Sequence, residues 1–355
     1  DLSVETEPTT MSFGVQHLPR RLEYCGSSLS QLFAQRSNLL NPRFLRMLRQ
    51  IDRFNREAGE ALSGDQWSRF TLEQYAEARR YGDDFLDLYL LPMSSAVWST
   101  RLEDIRHYPI VTLLRFFRNH GLLGGLSGHH QWRTVRGGSR MYVERLTREF
   151  SSRIRTGTPV ARVRRSAEGV TLRLKDGSAQ HFDKVILACH ADEALALLEE
   201  PTEDERRLLG AFRYQKNVAT LHTDPSVMPK KRRAWAAWNY RIDTSREGLL
   251  RSTTIYWMNA LQRVSERCNY FVSIDDPGLI DPSTILRTIV YHHPIFDMEA
   301  IDAQAHLGAL NRRSPDQDVY FCGSWFGHGF HEDALSSAIE VSSAIEGRAC
   351  EGAAA

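Results

Sequence analysis

Two textures alternate along the chain. In "NPRFLRMLRQIDRFNREAGEAL" (41–62), Phe44, Leu48, Ile51 and Phe54 recur at three- and four-residue spacings, which places them on one face of a helix. "TLEQYAEARRYGDDFLDLYLLPM" (71–93) opens with Thr71, and Gln74 three residues on completes a capping box. Pro92 lacks an N–H and its ring crowds the preceding turn, so it is expected to end that helix or the next one. "YPIVTLLRFFRNHGLL" (108–123) is broken by Arg115 and Arg118 and reads as an amphipathic helix. From Asn41 to about Gly128 the pattern is mainly helical.

After "WRTVRGGSRMYVERLTREF" (132–150) the period shortens. Gly137-Gly138-Ser139 forms a turn that feeds a helix, with Ser139 as its expected cap. Val160 and Val163, then Val170, Leu172 and Leu174, begin strands, and Asp176-Gly177 is a strong hairpin turn. "KVILACHA" (184–191) is a continuous apolar run, as expected of a strand buried on both sides, and the helix "DEALALLEE" follows it. Short strands are expected at "NVATLHT" and "STTIYWMNAL". "DVYFCG" (318–323) is a last strand before a terminal helix that starts at His331 or Asp333.

The chain has 355 residues, 42% hydrophobic and 25% charged, which is the mix of an ordinary globular protein. A formal net charge of +1 offers no global field for nucleic acid, and the clusters "RVRR" (162–165) and "PKKRR" (229–233) are short enough to be solvated faces. Five cysteines without a C-x-x-C pair suggest no disulfide framework, so a reducing cytoplasmic setting is expected. No apolar run reaches the roughly 18 residues that span a bilayer. Amphipathic helices between 41 and 123 could still touch a membrane surface. The opening "DLSVETEPTTMSFGV" has no Met at position 1, and the chain is expected to be a fragment or a processed form.

The chemistry concentrates in "YFCGSWFGHGFHEDALSSAIEVSSAIEG" (320–347). Backbone amides at a helix start have no intrahelical partner and carry the positive end of the macrodipole, so they can seat an anion or an electron-rich ring edge. Gly323, Gly327 and Gly329 let backbone approach a planar ligand, and Trp325, Phe326 and Phe330 can wall a flat pocket. A plain strand–turn–helix with core aromatics explains the same residues. A metal centre is the rival chemistry: His328, His331, Glu332 and Asp333 cluster in sequence, as do His292-His293 and His129-His130. The order H-E-x-x-H is missing, and adjacent histidines point to opposite sides of a strand. G-x-S-x-G is also absent, which argues against a triad hydrolase. Cys189 and Cys322, as lone cysteines at strand ends, read as small buried hydrophobes. Trp238, Tyr240 and His293, in "WNY" and "YHHP", are candidates for a substrate pocket.

"GFHEDALSSA" (329–338) resembles the carboxy-terminal flavin motif of the FAD-dependent amine oxidase superfamily. Phe321 and Gly323 match its opening, and Gly329, Phe330 and Ala334 its helix entry. Two positions depart from it: Ser324 stands where the family often has Asp or Glu, and Asp333 where it prefers Gly. "TPVARVRRSAEGVTLRLKDGSAQHFDKVILACHA" resembles the same superfamily's β-meander. Most of the chain is similar to a bacterial subgroup of NAD/FAD-binding proteins, through segments such as "MSFGV", "YLLPMSSAVWST", "VRGGSRMYVERL" and "FHEDALSS".

That resemblance implies an α/β fold: a Rossmann-like FAD-binding domain with an interleaved α+β substrate domain. FAD-binding pieces would span 131–204 and 312–350, and substrate or cap pieces 1–130 and 205–311. It implies FAD as cofactor, with Val160 meeting the adenine through its backbone and Ala188 to Ala191, including Cys189, forming the turn at the returning strand's end. Gly323, Ser324, Gly329, Phe330, Asp333 and Ala334 would line the flavin, with the amides near His331 and Glu332 facing its pyrimidine oxygen. His331 and Glu332 are the polar candidates for catalysis. The implied reaction is hydride removal from a C–N or C–C bond to flavin N5. The substrate would be a small molecule, and the apolar middle of the chain suits a lipidic or isoprenoid one at least as well as a polar amine. The family's amino-terminal G-x-G-x-x-G unit is not found: "GLLGGLSG" (121–128) follows a helical pattern rather than a strand. A non-catalytic module lacking its nucleotide half-site therefore stands as the alternative.

Overall fold

The computed structural model describes residues 3–124, 131–245, 247–312 and 318–347. His129, His130, Cys350 and the second half of "GLLGGLSG" lie outside the described residues. The chain forms two compact units, residues 1–151 with 216–293 and residues 152–215 with 294–355.

The first unit is built on a seven-stranded mixed sheet. In spatial order its strands are Ile285–Ile295, Arg213–His222, Phe271–Ile274, Leu250–Trp257, Trp238–Thr244, Phe13–His17 and Leu22–Cys25. Trp238–Thr244 pairs in parallel with Phe13–His17 and antiparallel with Leu250–Trp257. Side chains alternate across a strand, so Tyr240 and Ile242 share a face with each other. They join Phe13, Val15, Tyr24, Phe44, Met47 and Leu88 in one apolar cluster. Val227, Met228, Ile255, Phe271 and Ile280 form a second.

Helices cover this unit as their periodicity predicts. Pro42–Ala61 buries Phe44, Met47, Phe54, Ala58 and Ala61, and Asn41 caps its first turn. The Thr71–Gln74 capping box is present. Ile110–Asn119 buries Ile110, Leu113, Leu114, Phe116 and Phe117. Among the described residues no helix is long and apolar enough to cross a membrane.

Pro92 does not end its helix. Asp83–Phe85, a π turn at Leu86–Leu90 and Leu91–Trp98 run on without a break. The wider turn comes just before the proline, and the Leu88 carbonyl, which an N–H at 92 would bond in a regular α-helix, accepts the Tyr24 hydroxyl at 2.6 Å. Termination falls instead at Ser99, in the left-handed region with φ 50°. Ser139 is not a cap either: its backbone is already helical and its side chain bonds no amide of the Arg140–Thr147 helix. "STTIYWMNAL" is a strand only as far as Trp257, and Met258–Gln262 is helical.

The second unit holds a three-stranded antiparallel meander, Val160–Ser166, Gly169–Leu174 and Ala179–Phe182. Its second hairpin turns at Asp176-Gly177 as expected, with Gly177 at φ 88° and the Asp176 carboxylate accepting from Ser178 N–H. A parallel pair, Val185–Leu187 and Val319–Phe321, lies in the same unit. "KVILACHA" thus yields a three-residue strand that is not buried on both faces, because Ile186 is 47% exposed. Tyr320 and Cys322 pack on Val341 and Ile345 of the terminal helix, His331–Glu346.

Candidate functional site

In the second unit, a strand, a tight turn and a helix follow one another from Val319 to Glu346. The turn is assembled from within. Trp325 is 2% exposed, packs on Phe212, and donates its indole N–H to the Cys189 carbonyl at 3.1 Å. It is therefore core, not the wall of a flat pocket. Gly323, at φ 156°, takes a backbone conformation that suits glycine, and the Trp325 indole occupies the space a Cβ there would need. The Ser324 carbonyl accepts the N–H groups of Gly327 and Gly329 at 3.1 and 3.0 Å. Gln304 donates to the carbonyls of Trp325 and Gly327.

The helix entry is partly engaged by its own side chains. Phe330 N–H donates to the Asp333 carboxylate at 2.9 Å. Gly323 N–H donates to Ser337 Oγ at 3.0 Å, and that hydroxyl reaches the Ala334 carbonyl at 2.8 Å. Gly329, at φ 92°, lies against Phe296. Phe330, Asp333 and Ala334 are half-buried, while His331 and Glu332 are exposed.

Val160 and Cys189 come together across a groove of about 560 Å³ that Ala161, Arg162, Lys175 and Glu193 also line. Ala188 precedes Cys189 at the end of the Val185–Leu187 strand. The register of the meander slips between Val160 and Arg162, a β-bulge at the groove's edge. Burial, with Glu193 next in weight, pushes the Cys189 thiol up to about 11, and burial raises that of Cys322. Both stay protonated near neutrality and behave as small hydrophobes. The groove's open volume, the Lys175 cation and the irregular backbone beside Val160 together fit the edge of a heterocycle carrying an anionic group.

Two cavities of the first unit differ in character. One, of about 900 Å³, has the more polar wall, with Tyr240, Ser95, Lys216, Arg251 and Asp275 on it. The other, of about 510 Å³, is apolar, with Phe13, Leu32, Phe33, Met93, Val97 and Trp238 among its lining residues. One helix serves both: Leu91, Ser95 and Ser99 face the polar cavity, and Tyr89, Met93 and Val97 the apolar one. Each set repeats every four residues, so the two sets form two stripes of one helical surface. "YLLPMSSAVWST" carries this division as Ser95 and Ser99 on one stripe and Tyr89, Met93 and Val97 on the other, a signal that periodicity alone did not resolve.

Tyr240 is 1% exposed and its hydroxyl lies 2.8 Å from Ser95 Oγ, with burial pushing the phenol up to about 12. His293 does not reach either wall directly. Its Nδ1 pairs with Asn217 Oδ1 at 2.8 Å, and Asn217 donates to Asp275 at 2.6 Å. Asn217 and Asp275 had no motif to flag them, because His293 and Asp275 lie 76 and 58 residues from Asn217 in sequence. No group of three or more His, Cys, Asp or Glu side chains able to hold a metal lies together among the described residues.

The family model for flavin containing amine oxidoreductase matches residues 11–261, more than two thirds of the chain. No curated protein matches in sequence. Among solved structures the chain is similar to a putrescine oxidase bound to putrescine (11% identity, TM-score 0.61, 98% of this chain and 84% of that one). It is also similar to cyclohexylamine oxidase from Brevibacterium oxydans IH-35A (12%, 0.58, 97% and 84%). A reduced UDP-galactopyranose mutase shares the fold as well (12%, 0.61, 99% and 81%). At such identities these likenesses speak for the fold alone, and the α/β FAD-binding architecture expected from the sequence is the one they share. The chain belongs to the flavin-containing amine oxidoreductases and is an FAD-dependent oxidoreductase.

Proposed function

We propose that the substrate is lipidic and that its apolar chain lies in the cavity beside Trp238. The observation that carries this is the cavity's lining. Phe13, Leu32, Phe33, Leu48, Ile51, Met93 and Val97 give a chamber of about 510 Å³, a volume that suits a long hydrocarbon and offers a short polar diamine few partners. A solved fatty acid isomerase from P. acnes has the same fold, at 11% identity and TM-score 0.58. FAD, when bound, supplies the acceptor for a hydride from a C–N or C–C bond.

The chain's own residues bind and orient. Val160, Ala188 and Cys189 would hold the adenosine end of the cofactor. Gly323, Ser324, Gly329, Phe330, Asp333 and Ala334 would hold its ring end. At the first turn of the terminal helix the macrodipole favours negative charge, so the backbone near His331 and Glu332 would steady an electron-rich ring edge. His331 and Glu332, both exposed, would be the side chains that hold or move a proton there. Tyr240, and Asp275 held by Asn217 and His293 behind it, would order polar atoms of the substrate in the polar cavity.

The test reads binding without turnover. A fluorescent fatty acid should bind the full chain and be displaced by unlabelled long-chain fatty acid but not by putrescine. Val97→Phe, which fills the chamber, should weaken that binding at least ten-fold while the protein stays folded. Displacement by putrescine, or unchanged binding in the filled variant, would overturn the lipid reading.

A further inference from the structure

We propose that the surface around Leu29, Leu39 and Leu40 docks on an anionic lipid bilayer, so that substrate enters the apolar cavity from the membrane; this rests on the lipid-substrate reading. The three leucines are 64%, 49% and 89% exposed. Leu29 is in the short helix Leu29–Leu32, and Leu39 and Leu40 close the 3-10 turn Arg36–Leu40 that leads into Pro42–Ala61. Exposed leucines on consecutive short turns have no core to join, and a membrane interface is the environment that takes them up.

The charge of the segment points to one occupant. From Tyr24 to Ile51 the sequence holds Arg36, Arg43, Arg46 and Arg49 and no Asp or Glu. All four arginines are exposed. The fold then adds "PKKRR" to the same surface: the Arg232–Ala234 turn packs against Leu29–Leu32. The buried Glu23 carboxylate fixes that loop by accepting Lys230 N–H at 3.0 Å and Lys231 N–H at 2.9 Å. Its charge is thereby spent on backbone, and the exposed Lys230, Lys231 and Arg233 side chains add to the cationic surface. Arg232 is otherwise engaged, stacked 3.5 Å over Trp235. Apolar tips ringed by cations match a bilayer whose headgroups are anionic.

The same residues connect this surface to the chamber. Leu29, Leu32, Phe33, Leu48 and Ile51 all line the apolar cavity. A lipid leaving the bilayer at Leu29 would therefore meet a continuous apolar wall.

Co-sedimentation of the full chain with vesicles tests the docking without any flavin chemistry. The chain should pellet with phosphatidylcholine vesicles containing phosphatidylglycerol, much less with phosphatidylcholine alone, and less as salt is raised. Lys230→Gln with Lys231→Gln should reduce partition by about five-fold per charge removed. Leu39→Ser with Leu40→Ser should reduce it at least as much, and neither pair touches the cavity wall. Equal binding to neutral vesicles, unchanged binding by both variants, or a lipid-free dimer abolished by the leucine changes would overturn the proposal. Fatty-acid displacement and vesicle pelleting of the unaltered chain separate the two readings. If fatty acid binds but the chain does not pellet with anionic vesicles, only docking fails; if it pellets but binds no fatty acid, only the lipid-substrate reading fails.

Discussion

The side-chain amide of Asn311 pairs with both backbone groups of Phe321, accepting from its N–H and donating to its carbonyl at 2.8 Å each. Phe321 is the last residue of the strand that delivers the glycine turn, and it is fully buried. Asn311 thus does for Phe321 what a neighbouring strand would do. Asn311→Ala leaves two buried backbone groups unpaired and should lower stability by about 2–4 kcal/mol. Asn311→Asp keeps the acceptor and should cost less. Urea unfolding of the three proteins checks the order, and equal loss in both variants would refute the two-bond account.

Gly327 and Asp333 form a second coupled pair. A Cβ at 327 would overlap the Asp333 carboxylate that holds Phe330 N–H. Gly327→Ala should displace that carboxylate and destabilise by about 1–2 kcal/mol. Adding Asp333→Ala should cost little more, because the cap is already lost. Fully additive losses in a double-mutant cycle would show that the two positions act separately.

Tyr24 and Pro92 are linked through the Leu88 carbonyl. Tyr24→Phe should cost about 1–3 kcal/mol, since the carbonyl is buried and the proline cannot serve it. Pro92→Ala supplies an N–H and should recover part of the loss in the Tyr24→Phe background. Thermal unfolding of the four proteins measures the coupling.

His222 is fully buried, with Nε2 2.8 Å from Ser273 Oγ and Nδ1 accepting Asp224 N–H. Burial outweighs the neighbouring Asp224 and Asp276 charges and lowers the imidazole from its ordinary 6.5. The folded protein therefore keeps this ring neutral where the unfolded chain binds a proton. That stabilisation is present above about 6.5 and is lost as pH falls from 6.5 toward the folded value. His17, lowered first by burial and then by Arg20, contributes with the same sign. Denaturant midpoints should fall on acidification below 6.5, less steeply in His222→Gln. An identical slope in the variant would remove His222 from the account.

Local features were legible before any coordinates. The Thr71 capping box, the stripe that buries Phe44 and Phe54, the Asp176-Gly177 hairpin and the helix start at His331 depend on residues within a few positions of one another. Pro92 departs from its expected role for the complementary reason. A hydroxyl 64 residues away satisfies the carbonyl that Pro92 orphans, and nothing local announces it. The preceding π turn likewise lets the helix absorb the ring.

The candidate site divides the same way. Order and composition along Tyr320–Gly347 determined that a strand, a glycine turn and a helix follow in sequence, because glycine tolerance and helix signals are written residue by residue. Only tertiary structure decided that Trp325 turns inward to the Cys189 carbonyl, that Val160 and Cys189 line one groove, and that the Arg232–Ala234 turn packs against Leu29–Leu32. Those contacts join segments tens to hundreds of residues apart. Their energies come from burial and from pairing of polar groups, which are properties of the packed chain and leave no period in the sequence.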